Sequence, residues 1–345
     1  MGEGPSLAEL GEWELIRRLG AYAPPGQFSD DAALLAGPGG EALVVNTDVL
    51  VEGVHFSEAT TSAADVGWRA AAANLSDLAA MGATEVVGLT VGLVAPSDTR
   101  WSWVEEVYRG IHQCLEVHGG ELLGGDCSGG AQRVVAITAL GRLPHGHGAI
   151  RRGDGRPGDR LVCTGAHGLS RLGLAWLQGG LADTATTNDP GRSRIDLADA
   201  LIERAINAHR RPVPRFDAVR ALINCRPVGQ AWRVGGCDSS DGLAAAVAAI
   251  ARASGCAARL DRAGLPVDPA MAPLPQGQAW CLNGGEDFEL VLALAPTWAE
   301  ALLRVLPGSQ GIGALLAGAP GELAWMDGGA WGGDGPEGEG YQHFH

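Results

Sequence analysis

The sequence predicts an α/β (α+β) protein of two domains, and three observations support this prediction. Its 345 residues are enough for two domains of ordinary size. A hydrophobic share of 46% with 53 glycines and 19 prolines is typical of a globular, loop-rich chain. Short apolar runs also alternate with Ala-rich or amphipathic segments of helical length.

Local signals define the elements of the first half. Ser6 and Glu9 form a capping-box pattern before apolar residues at helical spacing, so a first helix begins there. The apolar run ALVV predicts a strand that ends where Asn46-Thr47-Asp48 begins. The other predicted elements are an Ala-rich helix over 63–81, a strand over 86–94, an amphipathic helix over 101–118, and strands over 121–126 and 133–140.

A Gly-, Pro- and Arg-rich stretch over 143–160 predicts the connection between two domains, 1–147 and 148–345. The second domain is predicted to contain a strand over 160–164, a helix ending near 176, a loop over 179–194, a helix over 195–208, an Ala-rich helix after Asp241, and a turn entering a strand over 280–294.

Charge and composition exclude several classes of protein. The net charge of −15 argues against nucleic acid or an anionic membrane as the main partner, so a phosphate-bearing ligand would need metal ions. All 25 basic residues are Arg, which excludes the P-loop, protein-kinase and Schiff-base mechanisms that need Lys. Seven cysteines without a regular spacing predict reduced thiols in the cytoplasm. No apolar run approaches the length of a membrane span.

Two acidic stretches near the N-terminus suggest a metal site. Asp30-Asp31 and Asn46-Thr47-Asp48 offer the oxygen ligands that Mg²⁺ prefers, although solvated turns account for the same residues. Asp77 lies on a helix too apolar to be exposed and has no basic residue three or four positions away. A metal is the more economical partner for this carboxylate.

Two later motifs allow two interpretations each. Gly124-Gly125 before Asp126 would let the backbone approach a phosphate, or would form a plain hairpin turn. Asp238 and Asp241 stand before the Ala-rich helix, where they could cap it or could hold the metal of a phosphate ligand.

Eight segments in this order resemble the thiamine-monophosphate kinase family of the aminoimidazole ribonucleotide synthetase superfamily. They are SDDAALL, NTDVLVEGVHF, ANLSDLAAMGA, GGD, PGD-x-x-x-x-TG, DSSDGL, NGGEDFEL and GYQHF. The resemblance implies an N-terminal domain with a dimer-forming mixed sheet and a C-terminal α/β domain. It also implies transfer of the ATP γ-phosphoryl group to thiamine monophosphate with several Mg²⁺ ions in a homodimer.

The resemblance assigns roles residue by residue. The implied metal ligands are Asp31, Asn46, Thr47, Asp48, Asp77, Asp126, Asp238 and Asp241. The implied nucleotide contacts are Gly125, Asp126, Arg152 and Ser240, and the implied substrate contacts are His55, Glu286 and Tyr341. Asp48, Asp126, Arg152 and Asp238 are expected to be catalytic. Asp30 can serve either the turn or the metal.

The chain departs from the family pattern at three places. Phe28-Ser29 stands before the acid pair where Gly is usual, Asn46 replaces Ser, and Gly235-Gly236-Cys237 replaces a more apolar lead. Two alternatives stay open: another ATP-using enzyme of the superfamily, such as an aminoimidazole ribonucleotide synthetase-like one, and a non-enzymatic divalent-metal-binding protein. The second is disfavoured because the acids are scattered and form no EF-hand loop.

Overall fold

The computed structural model describes residues 4–37, 41–179, 181, 197–329 and 331, which form two sheets that follow each other along the chain. The helices are α1 (Leu7–Leu19), α2 (Ala63–Ala80), α3 (Trp101–His118), α4 (Leu169–Leu177), α5 (Asp199–Arg210), α6 (Phe216–Asn224), α7 (Leu243–Ala253), α8 (Gly277–Asn283) and α9 (Pro296–Val305). The strands are β1 (Ala33–Ala36), β2 (Ala42–Val51), β3 (Glu85–Ala95), β4 (Glu121–Gly129), β5 (Val134–Arg142), β6 (Arg160–Cys163), β7 (Gly235–Asp238), β8 (Ala257–Leu260), β9 (Leu290–Leu294), β10 (Gln310–Leu316) and β11 (Leu323–Trp325).

The first sheet has the strand order β1-β2-β5-β3-β4, and only the β3–β4 pair is parallel. The pairing of β2 with β5 shows that the predicted end of this strand, at Asn46, was wrong. β2 continues through Asn46-Thr47-Asp48 to Val51 and pairs with β5 along this whole length. The unbroken pairing explains why the polar triplet does not end the strand. Because side chains alternate along a strand, Asn46 and Asp48 face α2 while Thr47 points to the opposite face.

Helix α2 lies against this sheet and confirms the prediction for 63–81. The side chain of Ser62 caps its first turn by accepting a hydrogen bond from the backbone of Asp65. The helix packs very closely against α3, because a Cβ atom added to Gly67 would lie 1.8 Å from the carbonyl oxygen of Val107. This contact needs glycine and fixes α2 between the sheet and α3.

The second sheet has the order β11-β8-β10-β6-β9-β7, with β11 and β8 parallel and the other pairs antiparallel. Two predictions for this half need correction. Residues 280–283 belong to α8 and not to a turn, so the strand in this span is only Leu290–Leu294. Helix α5 begins at Asp199, later than predicted, while most of the predicted loop over 179–194 lies outside the described residues.

Apolar packing crosses the boundary between the two sheets. One buried cluster contains Leu75 and Leu78 of α2 together with Phe216 of α6 and Trp298 of α9. A second cluster fills the other sheet around Leu161 and Val247. The division into 1–147 and 148–345 therefore stays a prediction. Among the described helices, none combines the length and apolarity needed to cross a bilayer.

Candidate active site

A cavity of about 1010 Å³ opens between α2, β2 and two loops of the second half. Its walls include residues that are predicted from the sequence to contact a metal, a nucleotide or a substrate. These are Thr47, Asp48, His55, Asp77, Ser240, Asp241 and Glu286. A cavity of this size, with polar groups converging on it, is the expected form of a ligand site.

Strand β2 and helix α2 place two carboxylates beside each other. Asn46 donates a 2.8 Å hydrogen bond from Nδ2 to Oδ2 of Asp77. Asn74 accepts a 3.1 Å hydrogen bond at Oδ1 from the backbone N–H of Asp48. The stripe of α2 that carries Asn74 and Asp77 is thus joined to the middle of β2. The hydrogen-bond donor to Asp77 is thus a neutral amide, and among the described residues Asp77 forms no ion pair.

Asp31 is tied to the second half of the chain. Its side chain is 2% exposed and forms an ion pair with Arg152. The neighbouring Asp30 accepts a 2.9 Å hydrogen bond from the backbone N–H of Arg152 and lies 3.2 Å from Nη1 of Arg151. These contacts assign Asp30 to holding the 151–152 backbone, while Asp31 faces the other carboxylates.

The loop after β7 supplies the remaining carboxylates. Asp238 ends β7 and accepts a 2.8 Å hydrogen bond from the hydroxyl of Ser76 on α2. Neither Asp238 nor Asp241 caps α7, because the N-cap position is Gly242 and no side chain caps the helix there. The capping interpretation is therefore wrong. We call Asp31, Asp48, Asp77, Asp238 and Asp241 the carboxylate cluster.

Burial and mutual repulsion disfavour the ionised state in this cluster. Burial raises the pKa of Asp77 well above its usual value, and the charges of Asp48, Asp238 and Asp31 add to the effect. Burial, with repulsion from Asp238, raises the pKa of Asp48 to about 6. Burial raises the pKa of Asp31 to about 7, in spite of its ion pair with Arg152. Shifts of this kind gather at functional sites.

The donor set of the cluster fits a hard cation such as Mg²⁺. Its ligand atoms are all carboxylate oxygens, and the amide oxygen of Asn46 lies beside them. Two buried oxygens of this set, Oδ2 of Asp31 and Oδ1 of Asn46, have no hydrogen-bond partner among the described residues. Within the described residues, no three acidic, histidine or cysteine side chains converge on one point. Mg²⁺ in phosphate-transfer sites is usually held by one or two carboxylates together with substrate phosphates. Carboxylates that do not converge in threes therefore still suit Mg²⁺ bound with a phosphate ligand.

Gly125 and Asp126 lie apart from the cluster within one copy of the chain. They stand on the edge strand β4, in register with Val91 and Gly92 of β3. In the register of the sheet, Asp126 lies opposite Val49 of β2, with β3 and β5 between them. Three strand spacings of about 4.8 Å therefore separate Asp126 from β2, a distance of roughly 14 Å. Gly125 is required by the sheet itself, because an added Cβ would lie 1.9 Å from the carbonyl oxygen of Val91.

The predicted substrate residues line another part of the cavity wall. His55 accepts a 3.0 Å hydrogen bond at Nδ1 from the backbone of Val51, and Glu286 lies beside it on the loop before β9. Tyr341 lies outside the described residues. Arg69 was not predicted from the sequence. It is a buried residue of α2 whose Nη2 is 2.6 Å from Oε1 of Glu286.

The chain is similar to known proteins over nearly its whole length. The AIRS family, described as AIR synthase related protein, N-terminal domain, matches residues 29–143. The thiamine-monophosphate kinase of Prochlorococcus marinus is 46% identical over 93% of both chains. The enzyme of that name from Synechococcus elongatus is 49% identical over 87% of both chains.

A solved structure described as AaThiL complexed with AMPPCP and TMP has the same fold, with a TM-score of 0.79. It is 26% identical, and the alignment covers 99% of this chain and 100% of that one. This structural likeness extends over both sheets and over the loops that form the cavity. With identities near one half across almost the full length, the chain belongs to the thiamine-monophosphate kinase family.

Proposed function

We propose that this protein transfers the γ-phosphoryl group of ATP to the phosphate of thiamine monophosphate, giving thiamine diphosphate and ADP. The observation that carries the proposal is one cavity that joins part of the carboxylate cluster to the substrate residues His55 and Glu286. An oxygen-rich end suits metal-bound polyphosphate, and the other end suits an organic acceptor.

The acceptor chemistry needs no general base. A phosphate monoester has a second pKa of about 6, so its attacking oxygen is already an anion at neutral pH. The carboxylates of the cluster are therefore free to hold metal, and Asp48 and Asp238 serve the reaction in this way. The transfer is direct and in line, without a phosphoenzyme.

Repulsion between two polyanions is the main obstacle to this reaction. When bound, Mg²⁺ supplies the positive charge that neutralises the phosphate oxygens. Asp31, Asn46, Asp48, Asp77, Asp238 and Asp241 would hold it from within one chain. The side chains of Thr47 and Asp126 lie on the other face of the first sheet. They would bind metal only with an additional ion or a second subunit.

Arg152 is the candidate for a phosphate contact. Its guanidinium forms an ion pair with Asp31, and its buried Nε has no hydrogen-bond partner among the described residues. A guanidinium with an N–H donor that has no partner in the protein is suited to bind a phosphate oxygen. Ser240 lines the cavity and would bind the nucleotide, as would Gly125 if a second subunit brings β4 close. Tyr341 would contact the thiamine end.

We further propose that the protein is a cytoplasmic homodimer. Every residue of β4 is exposed, and Leu122 and Leu123 of this edge strand are 46% and 50% exposed. Exposed apolar residues on an unpaired strand edge favour contact with another chain. The seven cysteines are free thiols, which suits a reducing compartment.

The activity is tested by incubating the protein with ATP, Mg²⁺ and thiamine monophosphate and separating the products by chromatography. Thiamine diphosphate and ADP are expected in equal amounts, and omission of Mg²⁺ should abolish both. Turnover of another superfamily substrate without any thiamine diphosphate would contradict the proposal.

A further inference from the structure

The thiamine end of the cavity contains a buried charged network that joins the two halves of the chain. Arg69 of α2 is 3% exposed, and its Nη2 donates a 2.6 Å hydrogen bond to Oε1 of Glu286. Its Nη1 donates to the backbone carbonyl of His209 on α5. One guanidinium therefore connects α2, α5 and the loop before β9.

His209 completes the wall beside this ion pair. Its side chain is 2% exposed, and its Nδ1 lies 3.7 Å from Oε2 of Glu286 and 3.3 Å from the hydroxyl of Ser170. Burial, with the nearby charge of Arg69, lowers the pKa of His209 to about 4. His209 is thus neutral at physiological pH, and Arg69 is the cation that faces Glu286.

The backbone around Glu286 is held in an unusual conformation. Glu286 and Phe288 have φ angles of 57° and 52°, a left-handed region that non-glycine residues rarely adopt. The backbone N–H of Glu286 donates a 2.7 Å hydrogen bond to the carbonyl oxygen of Ser240. Such backbone strain persists where the surrounding structure enforces it, and it is common at binding sites.

These contacts leave one side of Glu286 directed at the cavity. Its side chain is 35% exposed although Arg69 beside it is buried, so the carboxylate can still accept hydrogen bonds from a ligand. The thiamine moiety carries a cationic thiazolium and an amino group on its pyrimidine. Both are complementary to a fixed carboxylate, whereas a simple phosphate monoester offers neither.

We propose that Arg69 is the positioning residue that fixes the Glu286 carboxylate toward the cavity and so makes the site selective for an amine-bearing, cationic acceptor. This inference rests on the proposed function. The side chain of Arg69 is only 4% exposed where it reaches the cavity wall, and its donors go to Glu286 and to the backbone carbonyls of His209 and His55, so we assign its effect to the positioning of Glu286. Lys at this position would keep the charge but could not bond Glu286 and the His209 carbonyl in the same planar arrangement.

The test compares R69Q, R69K, E286Q and the double variant R69Q/E286Q in the full chain. The measured quantities are the KM for thiamine monophosphate, the KM for ATP, kcat, and the calorimetric Kd for thiamine monophosphate with AMPPCP present. We expect R69Q and E286Q each to raise the Kd and KM for thiamine monophosphate by about tenfold or more, with less than a twofold change in the KM for ATP. R69K should have Kd and KM values for thiamine monophosphate between those of R69Q and the wild type. R69Q/E286Q should raise these values no further than the single variant with the larger effect.

A matched control removes another ion pair between the same regions. Arg211, next to α5, lies 2.7 Å from Asp65 of α2 without lining the cavity, so R211Q should leave both KM values unchanged. Equal increases in the KM for ATP and for thiamine monophosphate, additive effects in the double variant, or an unchanged Kd in R69Q would overturn the inference. A wild-type protein that fails to use thiamine monophosphate at all would instead remove the proposed function.

Discussion

The hydroxyl of Ser76 lies 2.8 Å from Oδ2 of Asp238, and both side chains are buried. Ser76 belongs to α2, which packs on the first sheet, whereas Asp238 ends a strand of the second sheet. This bond therefore fixes carboxylates from the two halves of the chain next to each other. Ser76 precedes Asp77 directly, so one turn of α2 sets the positions of two members of the cluster.

Replacing Ser76 with Ala tests this connection. The variant leaves Oδ2 of the buried Asp238 without its hydrogen-bond donor, which should lower the free energy of unfolding by about 1–3 kcal/mol and raise the Mg²⁺ concentration needed for half-maximal activity. Urea unfolding and Mg²⁺ titration measure the two effects. Ser102 is exposed on α3, and S102A should change neither quantity. Equal behaviour of S76A and S102A would contradict the role of the bond.

Asp48→Asn should nearly abolish turnover while the fold remains. The amide keeps the shape of the side chain but loses the charge that a metal requires, and we expect kcat to fall by at least about a hundredfold. Asp48 is a half-buried residue, and burial together with repulsion from Asp238 raises its pKa, so loss of its charge should not lower the melting temperature of the metal-free protein. E116Q, on the exposed side of α3, is the matched control. Wild-type rates in D48N would remove Asp48 from the metal site.

The stability of the metal-free protein should fall as pH rises. Folding raises the pKa of Asp48 to about 6 and of Asp31 to about 7, above the value of about 3.9 in an unfolded chain. The folded state then binds more protons than the unfolded state between about pH 4 and 7, so the free energy of unfolding decreases across this window and levels off above it. With EDTA present, the melting temperature should be roughly 5 °C lower at pH 8 than at pH 5.

Mg²⁺ should reverse this trend, because it binds only deprotonated carboxylates. Added Mg²⁺ with AMPPCP should therefore raise the melting temperature more at pH 8 than at pH 5. Differential scanning calorimetry at both pH values measures the effect. A melting temperature that rises with pH in EDTA, or an equal Mg²⁺ effect at both pH values, would be inconsistent with ligands that compete with protons.

The exposed edge strand β4 provides a test of the proposed homodimer. Leu122→Asp places a charge in the proposed contact and should convert the dimer to a monomer in size-exclusion chromatography with light scattering. Val305 is 54% exposed at the end of α9, and V305D should leave the dimer intact. A monomeric wild type, or a dimeric L122D, would show that β4 does not form the contact.

Much of the fold could be predicted from local signals. The predicted helix over 101–118 matches α3, and the Ser6–Glu9 capping box is present at the start of α1. Both depend on residues close in sequence, where capping and helical spacing operate. The end of β2 was wrong because its polar triplet is held in the strand by pairing with β5, which no local pattern reveals.

The candidate site was predictable where a residue conflicts with its surroundings. Asp77 on an apolar helix was such a conflict, and the structure places it in the carboxylate cluster. Arg69 was missed because Asp65, four residues earlier, suggests an ordinary local ion pair. In the structure Asp65 pairs with Arg211, and Arg69 pairs with Glu286, which is 217 residues away. The separation of Asp126 from the cluster follows from the strand order, which also depends on distant contacts.

The most direct measurement of the central claim follows the phosphate itself. The protein is incubated with Mg²⁺, thiamine monophosphate and ATP labelled in the γ-phosphate, and thiamine diphosphate, inorganic phosphate and the protein are then counted separately. We predict that the label moves to thiamine diphosphate in equal amount to the ADP formed, with none bound to the protein. Label released as inorganic phosphate or retained on the protein, without labelled thiamine diphosphate, would contradict the account.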